Sequence, residues 1–396
     1  MSDQQPPLQT SRLEPLAFHH AVVAYLKQNE AAIWRWIKST ETQQKQAQEF
    51  RDQMLRQTYR LEADGHPAVH NAAKIAMQRL GIEAPVTLYQ AADGSMNASL
   101  CFIPNEIHIV FYGPILEKFS EDELLALMGH ELSHYQLWMA ADHEFHHAYQ
   151  ILNHTLSYGG AAPSHQETAR LMSLFTEVYA DRGAAVAAGS VSPAISILVK
   201  LISGLSTVDP VAYLRQASEI DLAKQKSEGQ SHPEAFIRAQ ALQKWWQQDT
   251  DAESWVDEKL RGPLSIESLD LLRQQELSDF TGQFLTRFIK GLKGDSEEIV
   301  TLARRFFPDF SLDTTVDHLE LPTKDKLDDS TRNYLVAVMF DCAMVDPDMR
   351  DTVLLEAAKM AKSLHATEQF AAALKRDLKW TKSATDKLMA KAGKAA

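Results

Sequence analysis

Residues 120–139 read SEDELLALMGHELSHYQLWM, and this stretch decides much of the fold. Its opening serine is followed three residues later by Glu123, which is the spacing of a helix capping box. The apolar residues that follow recur at helical intervals, so we predict a strongly apolar helix reaching about Met139. Within that helix His130 and His134 lie four residues apart, and they therefore share one face.

The two histidines have the spacing of a metal site. Imidazoles one helical turn apart can reach the same ion. Glu131 is rotated by about 100° around the helix axis, so it can lie over the open coordination position as a general base. A catalytic zinc ion takes three protein ligands and a water molecule, so we expect a third carboxylate or imidazole from elsewhere in the chain.

A second copy of the pattern follows at His143, Glu144 and His147. The first copy lies on an apolar helix that would hold its ligands rigidly, whereas the second follows Asp142 in a polar stretch where that helix should end. We therefore assign the metal to the first copy. We interpret the second copy, with His146, as solvated histidines near the rim of the cleft, and a secondary metal contact or a substrate-facing role are the alternatives.

Two carboxylates with helical spacing, Glu177 and Asp181, supply the candidate third ligand. They lie one turn apart on one face of a helix predicted over 167–188. Glu177 can bind the metal, while Asp181 can accept the free imidazole N–H of a ligand histidine. Alone, the pair would indicate an acidic helix face; together with His130 and His134 it indicates a metal centre.

Three short runs of β-branched and aromatic residues before the metal helix predict a small antiparallel sheet. Turn sequences at Asp93-Gly94 and Pro104-Asn105 separate these runs. The predicted strands are Val86–Gln90, Ala98–Ile103 and Glu106–Phe111. Most of the remaining chain has helical periodicity, so the predicted fold class is α+β and mainly α.

Composition and charge exclude several classes of protein. A formal net charge of −13 argues against a nucleic-acid-binding protein, which usually presents a basic face. Two cysteines cannot form a disulfide framework or a four-cysteine zinc site. The longest uncharged run, 183–199, is interrupted by Pro193 and predicts two buried helices instead of a membrane span. Because the N-terminus also lacks the pattern of a signal peptide, we expect a cytoplasmic protein without membrane insertion.

The chain resembles the gluzincin metallopeptidases typified by the CAAX prenyl protease and the HtpX heat-shock protease. Four features in the expected order carry this resemblance over residues 65–245. They are Asn97-Ala98 before a hairpin, the helix Glu123–His134, the segment Phe175–Arg182, and His232-Pro233 followed by Arg238. The resemblance implies a zincin-like peptidase with a small antiparallel sheet and an active-site helix, followed by an all-α C-terminal domain.

The resemblance also implies zinc endopeptidase activity on peptides or unfolded proteins, with a possible role in protein quality control. The residues that match the family's ligands to a single zinc ion are His130, His134 and Glu177. Glu131 matches the general base, and Asp181 matches the outer partner of a ligand histidine. The chain lacks the transmembrane helices of the family's membrane-bound members, which argues against prenylated or membrane-protein substrates.

The remaining matches concern substrate and transition state. His232 would stabilise the oxyanion and Arg238 would support the site, while Asn97 and Ala98 would form the edge strand for substrate. A surface histidine at a helix start, before Pro233, is the alternative reading of His232.

We predict four parts along the chain. They are an N-terminal helical segment at 1–62, the zinc metallopeptidase domain at 63–250, a helical connector at 251–324 and a C-terminal helical module at 325–396. The last part resembles the TerB-like helical domain of tellurite-resistance proteins, and it is expected to bind a protein partner or to regulate the peptidase.

Two other functions are compatible with these residues. One is an inactive zinc-binding scaffold that acts through its C-terminal module. Glu131 argues against it, because a structural zinc site needs four ligands and no base. The other is a different zinc hydrolase, which would need a substrate pocket that sequence does not reveal.

Overall fold

A computed structural model describes residues 13–38, 48, 51–52, 54–92, 94–157, 160–221, 226–292, 294, 296–312 and 326–394. The chain forms two compact units, unit 1 (Met1–Gly262) and unit 2 (Pro263–Ala396). The boundary predicted at 324/325 lies outside the described residues, and the four-part division stays a prediction.

In unit 1, helices surround a small sheet. The helices are α1 (Ala17–Asn29), α2 (Ala31–Lys38), α3 (Pro67–Leu80), α4 (Ile115–Lys118), α5 (Glu121–Ser157), α6 (Pro163–Ala188), α7 (Val191–Ser203), α8 (Pro210–Asp221), α9 (Ala235–Trp246) and α10 (Ala252–Arg261). The strands are β1 (Thr58–Arg60), β2 (Val86–Ala91), β3 (Asn97–Ile103) and β4 (Glu106–Tyr112). The predicted class, α+β and mainly α, is confirmed.

The sheet has the strand order β1-β2-β4-β3. The predicted hairpin of β3 and β4 is present and antiparallel, with Asn97 opposite Tyr112. β4 also pairs with β2, and that pairing is parallel, so the sheet is mixed where we predicted it to be wholly antiparallel. The cause is tertiary, because β4 inserts between β2 and its own hairpin partner. This insertion leaves β3 at the edge of the sheet.

Strand β1 corrects a second expectation. We predicted a continuous helical pattern from Leu16 to Leu61, but Thr58–Arg60 pairs antiparallel with β2. These three residues include a β-branched and an aromatic side chain, and pairing with an existing strand outweighs the weak helical periodicity of a short segment.

The predicted capping box at the start of α5 is confirmed. The backbone N–H of Ser120 donates to Glu123 Oε2 at 2.8 Å, and the backbone N–H of Glu123 faces Ser120 Oγ at 3.3 Å. Glu123 is buried and also forms an ion pair with Lys200 Nζ of α7 at 2.7 Å. Glu123 therefore caps the N-terminus of α5 and also joins α5 to α7.

Helix α5, which carries His130 and His134, packs against α6 with the two backbones unusually close. A Cβ atom added at Gly129 would lie 2.3 Å from Cβ of Ala187, and one added at Gly183 would lie 1.6 Å from Oγ of Ser133. These small residues are stacked along the contact between the two helices that carry His130 and Glu177. Close approach of the backbones is what brings the candidate ligands together.

We expect Gly183→Ala to lower the free energy of unfolding of unit 1 by about 1–3 kcal/mol, because the new methyl group must push the two helices apart. Urea denaturation followed by circular dichroism measures this difference. Gly160→Ala is the control, since a Cβ there meets no atom within 4 Å. Equal stability of the Gly183→Ala variant and the native chain would contradict the close contact.

Unit 2 is helical in its described residues, apart from an isolated bridge between Leu264 and Leu327. Its helices are α11 (Leu271–Lys290), α12 (Glu297–Phe306), α13 (Asp329–Val345), α14 (Arg350–Ser363), α15 (Thr367–Asp377) and α16 (Lys382–Lys394). Their apolar faces meet in one core around Phe284, Phe288, Met339 and Phe370. The TerB-like resemblance of this region stays a prediction.

Within the described parts of both units, no helix combines the length and the apolar character needed to cross a membrane.

Candidate metal centre

Three side chains from two helices converge on one point. His130 and His134 project from the same face of α5, and their Nε2 atoms lie 3.2 Å apart. Glu177 of α6 places Oε2 at 3.4 Å from Nε2 of His130 and Oε1 at 3.5 Å from Nε2 of His134. Among the described residues, this is the one group of three or more possible ligands whose donor atoms all lie within 4.8 Å of one another.

The donor set fits a zinc ion. Two imidazole nitrogens and one carboxylate oxygen are a ligand set used by catalytic zinc, with a position left over for water. Asp181 Oδ1 lies 3.2 Å from Nδ1 of His130, so Nδ1 donates its proton to Asp181 and Nε2 is the nitrogen turned towards Glu177. Asp181 therefore lies where it can accept the Nδ1–H of His130.

Arg238 of α9 holds both carboxylates from behind. Its guanidinium forms a two-pronged pair with Asp181 at 2.8 and 2.7 Å, and Nη2 lies 3.1 Å from Oε2 of Glu177. All three side chains are buried. Arg238 thus fixes both Glu177, the candidate third ligand, and Asp181, which contacts His130.

Charge is distributed unevenly over the metal-free site. Burial opposes ionisation of Glu177, but the positive charge of Arg238 and the imidazoles outweigh it and hold the pKa well below its usual value. Burial also disfavours the charged form of His130, yet hydrogen bonds to Asp181 and Glu177 raise the pKa to about 10. Burial lowers the pKa of His134 to about 4. Since the nitrogen that binds a metal ion must be deprotonated, uptake of an ion should release the proton on Nε2 of His130.

Glu131 lies beside the candidate ligands on the side of the sheet edge. Its carboxylate accepts a hydrogen bond from the backbone of Leu100 in β3. Burial, as the largest effect, raises the pKa of Glu131 to about 7, with the positive charge of His130 opposing it. A carboxylate with this pKa can both accept and donate a proton near neutral pH.

The group opens into a cleft of about 680 Å³ between β3 and α7. Asn97, Ala98 and Leu100 of β3 form one side of it. His232 lies on the loop before α9, with Nε2 at 3.6 Å from Oε1 of Glu177 and with 56% of its side chain exposed. His232 is therefore a surface histidine at a helix start that also faces the site, and its role in catalysis stays a prediction.

The second copy of the motif does not form a continuous helix. α5 is interrupted at Ala140–His143, where Ala141, Asp142 and His143 have positive φ angles between 50 and 64°. The prediction that the metal helix ends near here is correct. The prediction of solvated histidines is wrong for His147, which is buried, and burial lowers its pKa.

The interruption of α5 also brings two residues to the cleft: His146, which we expected near its rim, and Tyr149, which sequence reasoning did not single out. After the kink the chain returns along the cleft, and His146 and Tyr149 contribute to its lining. Burial lowers the pKa of His146 to about 3. No glycine or proline marks the kink in the sequence, so no local signal could have placed Tyr149 in the cleft.

Behind the ligand helix, His19 of α1 is fully buried and titrates far from its ordinary range. Its Nδ1 accepts from the backbone N–H of Leu16 at 3.1 Å, and Nε2 lies 3.3 Å from Oγ1 of Thr176. Burial, helped by the positive charges of its surroundings, lowers the pKa to about 3. Because the folded pKa is below the unfolded value, the unfolded chain binds the proton more readily.

We therefore expect the free energy of unfolding of unit 1 to fall as the pH drops from about 6.5 towards 3, by up to about 1.4 kcal/mol per pH unit from His19. The His19→Gln variant should lose this part of the slope. Urea denaturation of the metal-free protein at several pH values measures it. His154→Gln, an exposed histidine of the same unit, is the control, and identical slopes in native and His19→Gln proteins would contradict the expectation.

A helix with His130-Glu131-Leu132-Ser133-His134, a candidate third ligand on a neighbouring helix and an edge strand along the cleft form an arrangement typical of a metallopeptidase. Residues 64–246 match the model of Peptidase family M48. No match was found among curated proteins or among solved structures.

Proposed function

We propose that the protein is a zinc-dependent endopeptidase. The observation that carries this proposal is the convergence of His130, His134 and Glu177, with Glu131 beside them at a free sheet edge. His130, His134 and Glu177 would hold the ion. Bound zinc supplies Lewis acidity, which polarises the scissile carbonyl and brings the pKa of water near neutrality.

Glu131 does the proton chemistry of hydrolysis. Its carboxylate takes one proton from the attacking water, whose oxygen bonds to the carbonyl carbon of the substrate. The same carboxyl group then gives that proton to the leaving nitrogen as the carbon–nitrogen bond breaks.

Other residues of the cleft orient the substrate and stabilise developing charge. The free edge of β3 at Asn97 and Ala98 can pair with an extended peptide through main-chain hydrogen bonds. His232, exposed and directed towards Glu177, can donate a hydrogen bond to the oxyanion. Arg238 and Asp181 keep the ligands in place.

The presence of Glu131 favours an enzyme over an inactive scaffold. A structural zinc site has four protein ligands and no base, whereas the group here has three among the described residues. A role in protein quality control and binding of a partner by residues 325–396 are extensions of the proposal that follow from the resemblance alone.

Metal analysis and proteolysis of unfolded casein test the proposal together. We expect a single zinc ion per chain, cleavage of casein, loss of cleavage with a chelator and recovery when zinc is added back. An apoprotein that cleaves casein as fast as the zinc-loaded protein would refute the metal mechanism.

A further inference from the structure

One wall of the cleft is formed by apolar side chains. Leu127 of α5 and Ile197 and Leu198 of α7 are buried at its base, and Leu201 and Ile202 rise towards the rim. Ile202 is 65% exposed. The wall therefore consists of five apolar side chains, which are buried at the base of the cleft and exposed to solvent at its rim.

Helix α7 carries one charged residue, and that residue faces away from the cleft. Lys200 is 4% exposed and pairs with the buried Glu123 at the start of α5. The rest of Val191–Ser203 is uncharged, and so is the stretch that follows, up to Asp209. A surface helix with its only charge buried leaves an apolar face at the cleft.

The cleft as a whole is almost free of charge. Apart from histidines, the charged residues among those that line it are Glu131, the proposed base, and Glu177 and Arg238, which pair with each other. The facing wall, formed by Met96 and by residues 97–100 of β3, carries uncharged side chains. The lining therefore offers no countercharge to an acidic or basic substrate side chain.

We propose that these features select substrates with a large apolar side chain next to the scissile bond, which are segments of the kind exposed by unfolded proteins. The proposal rests on the proposed peptidase function. A substrate strand paired with β3 places alternate side chains on opposite faces, and the wall of α7 receives those that point across the cleft. Burial of one such apolar side chain against the wall favours binding. A charged side chain in the same place would be desolvated without a polar partner, which disfavours binding.

Matched peptides test this selection. A set of otherwise identical, unstructured peptides carries Leu, Phe, Ser, Glu or Lys at the residues flanking one central bond. We expect kcat/KM to be about 10- to 100-fold higher for the Leu and Phe peptides than for the Glu and Lys peptides. Binding of the same peptides to Glu131→Gln protein, measured by fluorescence anisotropy, should follow the same order without any turnover.

An exchange of charge on the wall gives a second, independent test. Ile202→Lys should lower kcat/KM for the Leu peptide and raise it for the Glu peptide, since the new ammonium faces the substrate. Val211→Lys is the matched control, because Val211 is 62% exposed and does not line the cleft. It should leave the order of the peptides unchanged.

The outcomes separate the two proposals. Equal kcat/KM for all five peptides, or an Ile202→Lys variant that keeps the native order, would overturn the apolar selection and leave the peptidase function intact. If no peptide is cleaved but the Glu131→Gln protein still prefers Leu and Phe in binding, the selection stands and the peptidase function fails.

Discussion

In the Glu131→Gln variant we expect peptide hydrolysis to fall by about 10²- to 10⁴-fold, which is the usual contribution of a positioned general base. Glutamine has nearly the shape of glutamate, but it cannot take the proton of the attacking water. Glu131 is absent from the group whose donor atoms converge on the metal position, so the zinc content should stay at that of the native protein. Single-turnover cleavage of a labelled peptide and metal analysis of the same samples measure both quantities.

The second copy of the motif provides a matched control. Glu144 is also a glutamate between two histidines, but it lies after the kink and pairs with Lys27. This pair is partly exposed, so its loss should cost little stability. Glu144→Gln should therefore retain native turnover. Comparable losses in the two variants, or native turnover in Glu131→Gln, would refute the assignment of the base.

In the Glu177→Gln variant we expect the loss of both bound zinc and activity. The substitution preserves volume but removes the negative charge, and it replaces an anionic ligand by a weak neutral one beside Arg238. Removal of an outer hydrogen-bond partner usually lowers metal affinity by about 10- to 100-fold. The loss in zinc affinity of the Glu177→Gln variant should be larger than that. Competition with a fluorescent chelator measures the affinity over the necessary range.

The Asp181→Asn variant gives an intermediate case with which the zinc affinity of Glu177→Gln can be compared. Because Asp181 contacts Nδ1 of His130 and lies outside the ligand group, its variant should bind zinc about 10- to 100-fold more weakly and retain some turnover. Native zinc affinity in Glu177→Gln would contradict the assigned ligand set. His232 would then be the replacement to test, since its Nε2 lies 3.6 Å from Oε1 of Glu177.

Much of the site was predictable because its information is local. A spacing of four residues places His130 and His134 on one helix face wherever that helix lies, and the same holds for Glu177 and Asp181. The capping box likewise involves residues three apart, and the hairpin of β3 and β4 follows from a turn between two short apolar runs. Each of these features needs only the geometry of one element or one turn.

Features that depend on contacts between distant segments were not predictable in this way. The parallel pairing of β4 with β2 and the strand at Thr58–Arg60 arise from partners far along the chain. The kink at Ala140–His143 has no glycine or proline to announce it, and left-handed backbone at alanine is unfavourable unless the surrounding fold supports it.

The sequence by itself determined the candidate site residues, because helical spacing and residue type are enough to single out two imidazoles, a candidate base and a carboxylate pair. The tertiary structure decided how they meet. It brought α5 and α6 into backbone contact at Gly129 and Gly183, and it turned Lys200 inward so that an apolar wall faces the cleft. The reason is that the depth of a helix contact and the direction of a long side chain are fixed by packing against other elements, and spacing along one element does not contain that information.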